Sequence, residues 1–330
     1  MPTMNDVAKL AGVSRGTVSN YVNGVKVKES SQKKIQSAIE QLNYIPNIMA
    51  RELKMNRSNL VVFIIPSTRT PFFAELTHKM QQALREENFK MLLCNSNNEI
   101  KEELEYIQMA KEQKVAGIIT ISYSDLAPYI MTELPIVSIE KRLSETIPCI
   151  SADNYSGGKL AAQKLVEKGS KNLLVITRST YKTEVNYGQR VTGVIDYCEQ
   201  EGVSYTLFDS RTHEEEFYPE LADYIGGLAR KGFPYDGIFA VADQYADFCL
   251  NILESAKYEI PKDIQIIGFD GGRMYPEQQR FVSSIRQPIS EIVQQSVHSL
   301  QLILQNKEKK VYQTQYLPVD YLEGITTRRM

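Results

Sequence analysis

Apolar residues in the first 45 positions recur with a helical period. Met4, Val7, Ala8 and Ala11 fall at i, i+3, i+4 and i+7, with Thr3 placed to cap, so the spacing predicts a helix ending near Ala11 and turned by Gly12. Ser14 can cap a second helix whose inward face is Val18, Tyr21 and Val22, while Arg15, Gly16, Ser19 and Asn20 point the other way. After the Asn23-Gly24 turn, Ile35, Ala38, Ile39 and Leu42 mark a third amphipathic helix. Pro46 ends this unit. Asn47 can cap a short segment carrying Met49, Ala50, Leu53 and Lys54, too short to stay helical alone because helix nucleation is costly.

From Leu60 the pattern becomes an alternation of strands and helices. LVVFII, MLLC, AGIITI and PIVSIE read as strands, with helices near 71–87 and 101–111 between them. A second series places helices near 155–168, 185–201 and 221–229 and another from Asp243, among the strands LLVIT, SYTLF, GIFAV and IQIIGFD. Repeated βα units imply two doubly wound parallel sheets. Ligands of such sheets sit beyond the carboxyl ends of the strands, so a cleft between two lobes is the expected site.

Composition narrows the class. The chain has 330 residues, 42% of them hydrophobic and 24% charged, which excludes a disordered protein and exceeds the usual size of one core. Its start lacks the basic region, apolar stretch and cleavage site of a secretory signal, and its most apolar run, 60–66, is strand-sized. A cytoplasmic location with no membrane span is therefore expected. Cys94, Cys149, Cys198 and Cys249 stand apart in apolar contexts without CxxC spacing, and read as buried small hydrophobes. No metal or cofactor is expected.

The net charge of −2 conceals an asymmetry. Residues 1–59 carry nine Lys or Arg against four acids, a net of +5, and the remainder carries −7. A basic head on an acidic body suits polyanion binding, although a solvated basic helix face gives the same count. The second helix adds chemistry. Short hydroxyls and amides near a helix start can hold phosphates, and longer side chains reach base edges. Ser14, Thr17, Ser19 and Asn23 suit the first task, and Arg15 and Asn20 the second. Gly16 offers no side chain, so a base opposite it is read through shape or not at all.

The strings NDVAKLAGVSRGTVSNYVNG and SSQKKIQSAIEQLNYIPNIMARELK resemble the headpiece and hinge of the lactose-repressor and galactose-repressor (LacI/GalR) family of transcription factors. That resemblance implies phosphate contacts at Ser14, Thr17, Ser19 and Asn23, and base reading at Arg15, Gly16 and Asn20. It also implies that two hinge helices pair across a dimer in the minor groove, Ala50 permitting close approach and Leu53 wedging between base steps.

The implied fold is an N-terminal three-helix helix-turn-helix headpiece (1–46) and a hinge helix (47–58). A two-lobed α/β type I periplasmic-binding-protein-like domain follows (59–330). Three crossing strands are placed near 149–153, 282–287 and 311–318. They give an N-lobe of about 59–152 plus 284–312 and a C-lobe of about 153–283 plus 313–330. Phe72, after the first strand, falls where the family sets an apolar residue against its effector, and Phe73 reads as core. Glu140 falls where the family commonly has Asp, and reads either as an acceptor of sugar hydroxyls or as a solvated acid. Arg190, in NYGQRVTG, and Asp270, in GFDGG, match the family's effector-binding Arg and Asp, with a purely structural salt bridge as the other reading. The chain departs from the family at VAD, where Ala242 replaces an amide. Arg178 and Lys182 read as solvated loop charges, or as a preference for a phosphorylated or acidic effector.

The resulting expectation is an operator-binding homodimeric repressor controlled by a sugar or sugar phosphate. A second expectation within the family is DNA binding promoted by a corepressor or phosphorylated carrier protein. An enzyme acting on sugar phosphates is disfavoured. There is no P-loop and no G-x-S-x-G, and His78, His213 and His298 stand alone on predicted helices. An extracytoplasmic solute-binding protein would need a signal sequence and no headpiece. The ending TTRRM has no heptads, so a C-terminal coiled-coil tetramer is not expected.

Overall fold

The chain divides into two units, Met1–Ser58 and Asn59–Met330. The computed structural model describes residues 2–44, 58–130, 134–178, 188–275, 277–305 and 311–329. The hinge segment with Ala50 and Leu53, and Lys182, lie outside the described residues.

In the head, α1 (Met4–Ala11) opens with a reciprocal cap. The Thr3 side chain accepts from the Asp6 N–H while the Asp6 carboxylate accepts from the Thr3 N–H at 2.8 Å, satisfying donors that a helix start leaves open. Gly12 ends α1 with φ at 62°, a left-handed conformation that glycine adopts without strain. Ser14 caps α2 (Arg15–Val22), its Oγ accepting from the Thr17 N–H at 3.1 Å. Helix α3 (Glu29–Leu42) closes a small core in which Val7, Ala8, Ala11, Val18, Ile35, Ala38 and Tyr44 are buried. The Tyr21 hydroxyl donates to Gln36 Oε1 at 2.6 Å and ties α2 to α3.

The body holds two six-stranded sheets. The first comprises β1 (Leu60–Ile65), β2 (Lys90–Asn95), β3 (Gly117–Ile121), β4 (Ile136–Ile139), β5 (Cys149–Ala152) and β11 (Thr314–Leu317). Its strands run parallel in the order β11-β5-β4-β3-β1-β2. One face packs on α4 (Pro71–Glu86) and α10 (Ile289–Gln305), the other on α5 (Ile100–Glu112). With both faces covered, β1 and β3 are apolar almost throughout rather than alternating.

The second sheet, ordered β12-β10-β9-β8-β6-β7, uses β6 (Asn172–Arg178), β7 (Ser204–Ser210), β8 (Gly237–Ala240) and β9 (Gln265–Asp270). β10 (Ser283–Arg286) pairs parallel with β9, and β12 (Asp320–Leu322) closes the edge antiparallel to β10. Helices α6 (Asn154–Glu167), α7 (Gly188–Glu201), α8 (Glu214–Lys231) and α9 (Asp243–Ser255) complete this lobe. All four cysteines are free and buried in these cores. No helix among the described residues is long and apolar enough to cross a membrane.

Three features differ from the sequence expectation. Helix α10 is absent from it, although Ile289, Ile292, Val293, Ser296, Val297 and Leu300 carry the helical spacing and bury one face against the first sheet. Helix α8 starts at Glu214 rather than near Leu221, with Pro219 inside it. Strand pairing also moves the lobe boundaries: Ser284 to Arg286 pair with the second sheet, and Thr314 to Leu317 with the first.

Candidate functional site

The head presents one polar face. Val18 faces inward, and around it Ser14, Arg15, Gly16, Asn20 and Asn23 are exposed while Thr17 and Ser19 are half-buried. The Ser14 and Thr17 hydroxyls lie 2.9 Å apart, and Asn23 Nδ2 donates to Ser19 Oγ at 3.3 Å. Arg15 and Asn20 thus stand clear of the core on an eight-residue helix held at both ends.

In the body a cavity of about 130 Å³ lies at the carboxyl ends of the strands. Phe72, Glu140, Arg190 and Asp270 all line it, although they come from four distant stretches of chain. Phe72, at the start of α4, is buried in the core at 5% exposure with its edge on the cavity. Phe73 is the more exposed of the two and lines the same cavity. Their rings meet edge-on at 5.2 Å, so the division into one stacking ring and one core ring does not separate them.

Glu140 is no solvated acid. It is 3% exposed, its carboxylate accepting from the Ala152 N–H at 3.0 Å and from Asn154 Nδ2 at 2.8 Å. Its φ of 69° is unusual for a side chain of this size and marks a backbone held by its surroundings. Asn154 is fully buried, and its Oδ1 accepts from Arg190 Nε at 2.6 Å. Arg190 Nη1 then donates to the Val241 carbonyl at 2.7 Å and to Asp270 Oδ1 at 3.3 Å. The guanidinium lies 3.7 Å from the centre of the Phe269 ring. Much of its fork is therefore engaged within the protein, and it cannot offer two free edges to a ligand.

Gln287 completes the chain of contacts, its Nε2 donating to Asp270 Oδ1 at 2.8 Å. The network Glu140–Asn154–Arg190–Asp270–Gln287 passes from the end of β4, across the crossing into α6, to the end of β9 and the crossing after β10. Burial pushes the Asp270 carboxyl up to about 6, against the opposing pull of Arg190 and Gln287. Asp243 is raised as well, by burial and by the Asp270 charge, although the Ser284 hydroxyl donates to it at 2.5 Å. Below pH 6 Asp270 would take up a proton and cease to act purely as an acceptor.

Sequence reasoning missed Asn154, Gln244 and Gln287. Gln287 sits in SSIRQP, legible as a crossing but silent about its side chain. Gln244 lines the cavity two residues after Ala242, so an amide is present at this strand end despite the departure at Ala242. Arg178, expected in a loop, is the last residue of β6 and lines the cavity, its guanidinium 5.9 Å from the Phe217 ring centre. His213, expected on a helix, stands in extended backbone immediately before α8.

A family model described as "Periplasmic binding proteins and sugar binding domain of LacI family" matches residues 58–314, and one described as "Bacterial regulatory proteins, lacI family" matches residues 3–47. The chain is 32% identical to the sucrose operon repressor of Pediococcus pentosaceus over 98% of its own length and 99% of that protein. It is 31% identical to the ribose operon repressor of Bacillus subtilis (strain 168) over 100% and 99% respectively. Among solved structures, the lac repressor dimer bound to operator and the anti-inducer ONPF matches with a TM-score of 0.83 at 20% identity, covering 98% of each chain, a likeness of fold.

Proposed function

The chain belongs to the LacI family of bacterial regulatory proteins, a transcription regulator rather than an enzyme, and from that premise we propose how it works: a homodimer binds operator DNA through α2 and the hinge, and a sugar in the interlobe cavity changes that affinity. Ser14, Thr17, Ser19 and Asn23 hold phosphates, while Arg15, Gly16 and Asn20 face bases. Ala50 and Leu53 open the minor groove between the half-sites.

The observation that carries the ligand half of this reading is the buried network through Arg190 and Asp270, which both lobes supply and both neighbouring crossings touch. A molecule seated against it meets Phe72 and Glu140 of one lobe and Arg190 and Asp270 of the other. It therefore favours one spacing of the lobes over another, and a ligand shifts an equilibrium only by such a difference in affinity. Chemistry agrees with a sugar. Gln287 Oε1 is buried without a hydrogen-bond partner among the described residues, and its Nε2 is already committed to Asp270. A hydroxyl donor suits that oxygen.

The DNA half is tested by selecting binding sites from a random pool with the parent chain and Asn20→Ala. The variant is expected to lose base preference at one position in each half-site, a discrimination of about 1–3 kcal/mol, with the rest of the site intact. Identical selected sites would remove Asn20 from the base-reading face.

A further inference from the structure

The first sheet contributes to the cavity through the ends of four strands. Pro66 and Ser67 follow β1, Asn98 lies beyond β2, Tyr123 beyond β3, and Glu140 directly after β4. A cluster of buried polar side chains outside the cavity lining ties these ends to one another. Its centre is Glu103, in the first turn of α5 and 0% exposed. Ser122 Oγ donates to Glu103 Oε2 at 2.7 Å and Ser96 Oγ donates to Oε1 at 3.3 Å, so one carboxylate joins the end of β3 to the end of β2. Ser96 carries the tie on to β1, its N–H donating to the Ile65 carbonyl at 2.9 Å. Ser122 Oγ also accepts from the Ser124 N–H at 3.1 Å, which folds back the loop that carries Tyr123. From the β4 side Lys141, next to Glu140 in the chain, donates to the Ser124 carbonyl at 2.7 Å and to the Tyr123 carbonyl at 3.4 Å.

We propose that Glu103 and Lys141 are positioning residues for the ligand site: without touching the ligand, they hold the four strand ends at the spacing it meets. The proposal rests on reading the interlobe cavity as the ligand site.

The residue types fit this role better than they fit a place in the core. Burial pushes the Glu103 carboxyl up, against the hydroxyls of Ser122, Ser124 and Ser96 and the charge of Lys141. Burial likewise pushes the Lys141 ammonium down, against the charges of Asp125 and Glu103. Both groups therefore sit where their charge is disfavoured. On the same face of α5, Ile107 and Ala110 simply pack on the sheet, and an apolar side chain at 103 would fill its place without that penalty. It could not hold two strand ends at once. A ligand site is kept at its working geometry by side chains such as these, which fix the residues that make the contacts.

The test is hydrogen exchange followed by mass spectrometry on the full chain, with titration calorimetry using sucrose and D-ribose. In Glu103→Leu, exchange is expected to rise about tenfold at residues 96–99 and 122–126, the local opening that follows from losing a buried hydrogen bond, while the second sheet keeps parental rates. In Lys141→Met the rise should fall on residues 122–126 and 140–142 instead. A sugar that binds the parent should bind each variant about tenfold more weakly. Glu103→Gln should restore both readings, because its Oε1 still accepts from Ser122 and its Nε2 donates to Ser96 Oγ. A role in packing alone predicts that Leu and Gln behave alike. Melting curves accompany every variant, and should Glu103→Leu fail to fold, Ser122→Ala removes the β3 tie alone and is expected to loosen residues 122–126. Exchange that rises evenly over the first lobe, exchange that does not rise, or an unchanged sugar affinity despite loosened strand ends would overturn the proposal and leave the sugar reading standing. If neither sugar binds the parent, the sugar reading falls, and the exchange pattern alone decides whether Glu103 and Lys141 hold the cavity wall.

Discussion

In Arg190→Ala, sugar is expected to leave operator affinity where it was, and the body is expected to melt earlier than in the parent. The substitution removes the centre of the cavity network: Asn154 Oδ1, the Val241 carbonyl and Asp270 each lose a donor, and the Phe269 ring loses the cation stacked on it. Deleting one partner of a buried charged pair costs about 3 kcal/mol, because the other charge is left desolvated. Sugar affinity should drop about 100-fold, since the carboxylate and amide facing the ligand lose their positions along with the arginine. Arg190→Lys separates charge from geometry. A lysine restores the positive charge but not three fixed N–H directions, so it should recover part of the stability and little of the sugar response. Calorimetry with sucrose and D-ribose, with fluorescence anisotropy on a selected operator, reads both quantities. A full response in Arg190→Ala would move the ligand out of this cavity.

Gly193→Ala is expected to give the second large effect, with no ligand contact at all. Helices α6 and α7 cross so closely that a Cβ at Gly193 would stand 2.1 Å from the Tyr155 carbonyl oxygen, and one at Gly158 only 1.9 Å from that of Arg190. Both obstacles are backbone, so the helices must part. Overpacking of this kind costs about 3 kcal/mol, or roughly 6–12 °C in melting temperature for a body of this size. Because Asn154 lies on α6 and Arg190 on α7, parting the helices also pulls the Asn154–Arg190 bond apart. Sugar response should therefore fall in the fraction that remains folded. Thermal melts with calorimetry at 15 °C check this. A parental melting temperature would mean that the helices can separate without cost.

These two residues show what the sequence could and could not tell. The head was legible down to single residues, because its caps, turns and inward positions are local: Thr3, Gly12, Ser14 and Val18 act through neighbours within one or two turns. Strands such as β1 and β3 were legible from unbroken apolar runs. The cavity was legible only where a residue ends a strand or matches a family motif, as Glu140, Arg190 and Asp270 do. Their partners were not. Asn154 and Gln287 meet Arg190 and Asp270 across 36 and 17 positions, and no periodicity encodes such a contact. The close crossing at Gly158 and Gly193 is equally hidden, since a glycine in a helix usually reads as a weakness rather than a point of approach. Helix α10 is a different case. Its apolar spacing is local and regular, and it follows directly on the crossing after β10.

If occupancy of the interlobe cavity and binding of operator are coupled in one molecule, the coupling free energy is reciprocal. The direct measurement is a closed cycle on the parent chain. Operator affinity is measured with and without a saturating sugar that binds, sucrose or D-ribose being the first to try, and affinity for that sugar is measured with and without saturating operator. The two affinities are expected to change by the same factor, about 5–150-fold for a coupling of 1–3 kcal/mol. A sugar that binds tightly while operator affinity stays constant would rule that coupling out.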